Sequence, residues 1–205
     1  MRYLLSSLCL FLLIGCASYP VQNGFEPKSD SPKKTSNPYF SNARKDYVYK
    51  AKIDAFNRSF GGIFIVKKLG AEHHRIAFTT EIGNTIFDFT FKGDDFRVNR
   101  ILKDLDRKVL INILKRDFKA LTQEHSPVKK NFVLNTENIL QTDILSKKHY
   151  FYYNDKQLNK IVRVDRNKEK VEFTFTNIDD QFAKQIEIAH HNFKLHIALK
   201  AFKWR

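Results

Sequence analysis

The sequence predicts a mainly β fold with helices, of the α+β class: a strongly curved antiparallel sheet covered by one or more helices. Three observations predict it. Apolar and polar residues alternate at period two over much of residues 46–91 and 149–202. Gly, Asn and Asp separate the alternating runs, where their tolerance of turn backbone angles suits hairpins. One central stretch changes period to i, i+3, i+4.

The first meander begins at Asp46, where Tyr47, Tyr49, Ala51 and Ile53 alternate with polar neighbours. A second apolar run, residues 60–69, opens on Gly61-Gly62, and residues 74–80 place Ile76 and Phe78 on one side. In residues 85–91, Phe87, Phe89 and Phe91 share a face opposite Asp88 and Thr90. Turns fall at Asn57-Arg58, Gly70, Ile82-Gly83-Asn84 and Gly93-Asp94. The central helix is read from Leu102, Leu105, Val109 and Ile113 together with Leu110, Leu114, Phe118 and Leu121. Asp104 or Asp106 would cap its start, and Pro127 closes its far side. Residues 126–148 carry no clear period and are expected as a short helix or packed loops. Strands resume over residues 149–153, 158–164, 171–176, 183–189 and 193–202, with Val171, Phe173 and Phe175 on one face. Roughly nine or ten strands in one sheet must close, pack or be covered.

The first residues have the three parts of a signal peptide. Arg2 supplies charge, residues 4–14 an apolar run, and Gly15 the small residue before Cys16. The run is shorter than the roughly 20 apolar residues that span a bilayer. Leu13-Ile14-Gly15-Cys16 is similar to the lipobox of bacterial lipoproteins, in which the Cys is acylated and becomes the mature N-terminus. Residues 1–15 are therefore expected to be cleaved, leaving 190 of the 205. Cys9 leaves with them, so Cys16 has no intramolecular partner, and acylation accounts for an otherwise unpaired exported thiol. Residues 16–43 hold four of the five prolines among Ser, Asn and Lys, and are expected as a flexible tether with a mean reach of roughly 30 Å. Residues 44–205 form the domain. Losing Arg2 lowers the formal net charge from +14 to +13. For an exported lipoprotein, anionic headgroups fit that charge better than nucleic acid; a solvated basic surface with no partner stays open as the alternative.

The order lipobox, tether, β-meander, helix, β-meander resembles the LolB family of outer-membrane lipoprotein receptors and the related periplasmic carrier LolA. The most specific stretch is residues 74–89, HRIAFTTEIGNTIFDF, which is similar to the family's strand, apolar-Gly turn, strand segment. Residues 193–204 are similar to its basic-apolar last strand. The resemblance implies an unclosed β-barrel whose helices cover an apolar cavity for acyl chains. It also implies an outer-membrane, periplasm-facing protein that receives lipoproteins from a LolA-like carrier. Ile82 before Gly83 matches the family's exposed membrane-placing Leu, while Glu81 stands where the family has Pro. The lack of acidic residues at Ala17, Ser18 and Tyr19 fits a periplasmic domain.

Nineteen Phe imply much apolar area facing inward. Ile76, Phe78, Phe87, Phe89, Phe91, Phe173 and Phe175 either fill a core, at about 1.5 to 3 kcal/mol each, or line a groove left open for lipid. No nucleophile elbow, zinc-protease helix, Walker loop or dinucleotide glycine pattern occurs, so no enzymatic activity is expected, and no cofactor. Neighbouring strand residues point to opposite faces, so His73-His74 and His190-His191 make poor chelates and no metal is expected. Asp94-Asp95 and Asp179-Asp180 sit in turns, where carboxylates bond the backbone. An accessory envelope lipoprotein with a filled core and no ligand is the alternative function.

Overall fold

Strands form wherever the apolar period is two, and one more pair forms where it is not. The computed structural model describes residues 17–202; the expected signal peptide and Cys16 lie outside them, as does Trp204. Thirteen antiparallel strands make one curved, unclosed sheet. They are β1 (Glu26–Pro27), β2 (Asp46–Ala55), β3 (Arg58–Gly70), β4 (His73–Thr79), β5 (Thr85–Lys92), β6 (Asp95–Ile101), β7 (Val128–Leu134), β8 (Glu137–Ile144), β9 (Lys147–Asn154), β10 (Gln157–Asp165), β11 (Lys168–Asp179), β12 (Phe182–His190) and β13 (Leu195–Ala201). Their spatial order is β1-β7-β8-β9-β10-β11-β12-β13-β2-β3-β4-β5-β6. The two sequence meanders therefore join through β13 and β2, with Ile197 opposite Ile53.

Residues 126–148 are strands, not a helix or loops. The β7–β8 hairpin hid its period because buried Asn131, Gln141 and Thr142 occupy positions that alternation would give to apolar side chains. The central helix starts later than its caps suggested. Asp104 sits in a short 3-10 turn, Lys103–Leu105, and the helix proper, α2 (Lys108–Thr122), has Arg107 at its N-cap with no side-chain cap. Helical cover is thus a single long helix.

The expected flexible tether is a packed strap. The short helix α1 (Tyr19–Gln22) and Phe25 lie on the outer face of β7–β10 against Phe132, Ile139, Tyr150 and Tyr152. β1 then pairs with β7, covering an edge that would otherwise be open to another chain. The strap continues through Thr35 and Asn37, whose amides donate to Ser126 and Glu124, and ends with Tyr39 and Phe40 on the inner face. Its aromatic anchors, at about 1.5 to 3 kcal/mol each, act together with the β1–β7 pairing and the Thr35 and Asn37 backbone bonds to hold it down. Prolines suit such a strap because an extended segment off the ladder needs few donors. At the far edge, β6 is largely exposed and carries Arg97 and Arg100, the charged rim that discourages edge pairing.

Candidate functional site

All seven residues expected on the aromatic face lie there. Ile76, Phe78, Phe87, Phe89, Phe91, Phe173 and Phe175 are buried in one cluster on the inner face. Register explains the grouping, since Phe78 pairs with Phe87 and Ile76 with Phe89 across β4 and β5. Phe87 and Phe89 stack with ring centroids 4.7 Å apart.

Of the two arrangements offered for these side chains, a filled core and an open groove, the face here is filled. Helix α2 lays Leu110, Ile113, Leu114, Phe118 and Leu121 on it, with Phe118 5.3 Å from Phe64 and 5.6 Å from Phe87 between ring centroids. Tyr39 packs 4.7 Å from Phe175, and its hydroxyl donates to the Leu158 carbonyl. The void left among Ile53, Phe78, Phe87, Leu110 and Leu114 is about 10 Å³. An acyl chain needs several hundred. Sequence shows which residues share the inner face but not what lies over them.

Polar groups fasten the cover. Asp117 faces inward from α2 and accepts from His190 Nε2 at 2.8 Å. Arg163 of β10 is buried on the same face; burial pulls its guanidinium down, and the Asp117 charge opposes that shift. At the far end of the helix, Lys119 donates to the Gly93 carbonyl at 2.7 Å. Sequence reasoning missed Asp117, although a carboxylate within the 110, 113, 114, 117, 118, 121 stripe signals a buried acid in want of a partner. His74 is likewise structural: it donates to the Phe40 carbonyl at 3.1 Å and faces Glu124 at 3.7 Å. His149, whose Nδ1 donates to the Lys147 carbonyl, is pushed down to about 4 by burial.

Ile82 projects from the β4–β5 turn and is 85% exposed. Gly83 beside it adopts φ +89°, which an L side chain rarely does, and Glu81 forms an exposed ion pair with Lys50 at 3.6 Å. The turn amides bond back to Thr80, so the tip is fixed while its apolar side chain stays in water. Among the described residues no helix is long and apolar enough to cross a membrane.

No family model and no curated protein matches the sequence. Solved structures do match the fold. A crystal structure of a LolA superfamily protein from Nitrosomonas europaea superposes with a TM-score of 0.51, over 77% of this chain and 83% of that one, at 12% identity. The chain has a LolA-like fold. A domain from Vibrio parahaemolyticus, described as that of an outer-membrane lipoprotein-sorting protein, matches more loosely, at a TM-score of 0.40 and 10% identity over 78% of this chain and 84% of that one. In this LolA-like sheet one helix and one strap occupy the inner face.

Proposed function

We propose that the protein is an outer-membrane lipoprotein, anchored through acyl chains on Cys16 and facing the periplasm, that binds acyl chains on the inner face of its sheet. In this reading it serves lipoprotein localisation, taking acyl chains from a LolA-like carrier and releasing them into the bilayer beside Ile82. It is a binding module and not an enzyme. The observation that carries the reading is the form of the cover: a LolA-like sheet presents a continuous aromatic face, and that face is closed by one helix, held by the buried Asp117–His190 pair and by Lys119 on the Gly93 carbonyl, together with the end of the strap.

The structure is then the closed form, and magnitudes allow it to open. The five inward side chains of α2 hold about 7 to 15 kcal/mol of burial. A sixteen-carbon chain gains about 12 kcal/mol on leaving water. For a chain taken from water, as in a fatty-acid binding assay, the exchange is near balance.

A second reading is favoured by the void of about 10 Å³: an accessory envelope lipoprotein whose core is full and takes no ligand. A fluorescent fatty-acid probe decides between them, applied to the chain from Ala17 onward, which carries the whole described fold. Saturable binding displaced by palmitate is expected. Its absence leaves the accessory reading. Ile82→Glu should impair lipoprotein delivery and leave the melting temperature nearly unchanged, because so exposed a side chain contributes little to the core.

A further inference from the structure

Exposed large apolar side chains are not scattered over this molecule. In the β11–β13 and β2–β5 part of the sheet, antiparallel pairing puts alternate turns at the same end, so the β2–β3 turn, the β4–β5 turn and the β12–β13 loop share one end. That end carries Phe56, Phe193 and Ile82, and the approach to α2 adds Leu102 and Val109; these are five of the eight exposed large hydrophobics among the described residues.

Contacts tie Phe56, Phe193 and the approach to α2 into one patch. The Phe56 amide donates to the Lys194 carbonyl at 2.6 Å, which sets the β2–β3 turn beside the loop that bears Phe193. Arg58 bonds Asp104 at 2.7 Å, joining the same turn to the segment that leads into α2. A depression of about 140 Å³ lies among Phe56, Arg58, Asp104 and Arg107. Phe56 itself sits at φ 58°, a left-handed conformation rare for an aromatic, and it is 48% exposed. A turn built for stability alone would carry Asn or Gly there. Backbone strain combined with an exposed aromatic marks a position kept for something other than the core.

Charge is divided between the ends. The patch is edged by Arg58, Arg107, Lys108 and Lys194, with Asp104, paired to Arg58, and Asp106 as the acids among them. The opposite turns carry Glu72, Asp94, Asp95, Asp179 and Asp180. A surface with aromatic and aliphatic tips inside a basic edge matches the interfacial region of an anionic bilayer, where apolar side chains enter the headgroup layer and Lys and Arg meet phosphates.

The exit of the strap agrees. Asn167 Nδ2 donates to the Ala17 carbonyl at 3.2 Å, next to the β10–β11 turn. Tyr19 donates to Glu169 at 2.7 Å, and the other oxygen of Glu169 faces His191 at 3.7 Å, two residues before Phe193. The residue that precedes Ala17 is Cys16. With the strap packed, Ala17 is held at the patch's end of the sheet and not at the end of a long tether.

We infer that the Phe56–Phe193 patch, with Arg58, Arg107, Lys108 and Lys194, is a second membrane-contact surface for anionic lipid, separate from the Ile82 tip. The inference rests on the membrane location proposed above but not on acyl-chain binding. The test is co-sedimentation of the chain from Ala17 onward, which has no acyl anchor, with phosphatidylglycerol-containing vesicles and with pure phosphatidylcholine vesicles. Binding to the anionic vesicles is expected, and Phe56→Asn combined with Phe193→Ser should weaken it about tenfold, Asn being at home at a positive φ. Arg107→Glu combined with Lys194→Glu should weaken it similarly and reduce its salt dependence. Ile82→Glu, assayed in parallel, separates the two contact points. Equal binding by the wild type and both double variants would overturn the inference, as would binding to neutral vesicles alone or to none. A dimer in solution that the Phe56→Asn, Phe193→Ser variant breaks would assign the patch to a second copy instead. The fatty-acid probe reports on the inner face independently, so saturable probe binding without vesicle binding sinks this inference and spares the proposed function.

Discussion

Asp117 on the covering helix and His190 on β12 meet at 2.8 Å, and neither side chain reaches solvent. This is the main polar bond between α2 and the sheet it fills. Asp117→Ala leaves a buried imidazole unpaired and should cost on the order of 2 to 3 kcal/mol in urea unfolding. If the pair is a latch, the same variant also takes up the fatty-acid probe faster. A loss of stability with unchanged uptake would make the pair purely structural.

The strap gives the second prediction. A free tether is cut by proteases along its length, whereas residues 19–40 are pinned by Tyr19, Phe25, Tyr39 and Phe40. Limited proteolysis of the native protein should spare this segment. Removing residues 17–33 should expose Phe132, Tyr150 and Tyr152 and lower the melting temperature, where deletion of a tether would leave it unchanged.

Acid should weaken the fold. Burial holds His149 down to about 4, and burial also lowers His74. The unfolded chain takes up these protons near pH 6.5, while folded His149 does so only near 4, so stability falls as pH drops through that window. For His149 the loss is at most about 3 kcal/mol. His149→Asn, which can still donate to the Lys147 carbonyl, should reduce the slope in urea midpoints measured between pH 7 and pH 4, leaving the His74 share. An unchanged slope would place the titration elsewhere.

Adjacent glycines on β3 should behave oppositely. A Cβ on Gly62 would collide with the Thr79 carbonyl oxygen, backbone that can yield only by breaking the β3–β4 register, whereas Gly61 has nothing within 4 Å. Gly62→Ala should therefore destabilise by about 1 to 3 kcal/mol or more. Gly61→Ala should be neutral or slightly stabilising in the same thermal melts.

What the sequence made legible follows from how each element is buried. β11 and β13 alternate cleanly because each has one face in the core and one toward water. β5 shows its inner face through Phe87, Phe89 and Phe91, although Ile86 and Asp88 on its other face are buried too. β7 and β8 did not alternate because polar Asn131, Gln141 and Thr142 are buried in them. The strap was illegible because its anchors are single aromatics spaced by prolines, with no period to detect. Ile82 was visible as an apolar residue in a turn. Phe56 was not, because it stands at the end of an alternating strand and only the fold shows it turned out. That the aromatic face is occupied depends on where α2 lands, a long-range contact that no local pattern encodes.

The proposed function requires α2 to be a displaceable occupant of the inner face. Hydrogen exchange at the backbone amides of residues 108–122, measured with and without saturating palmitate, tests it most directly. Displacement predicts exchange of these amides faster by about tenfold or more with palmitate, while β10, β11 and β12 keep their protection. A helix equally protected in both conditions would contradict it and leave a permanently filled core.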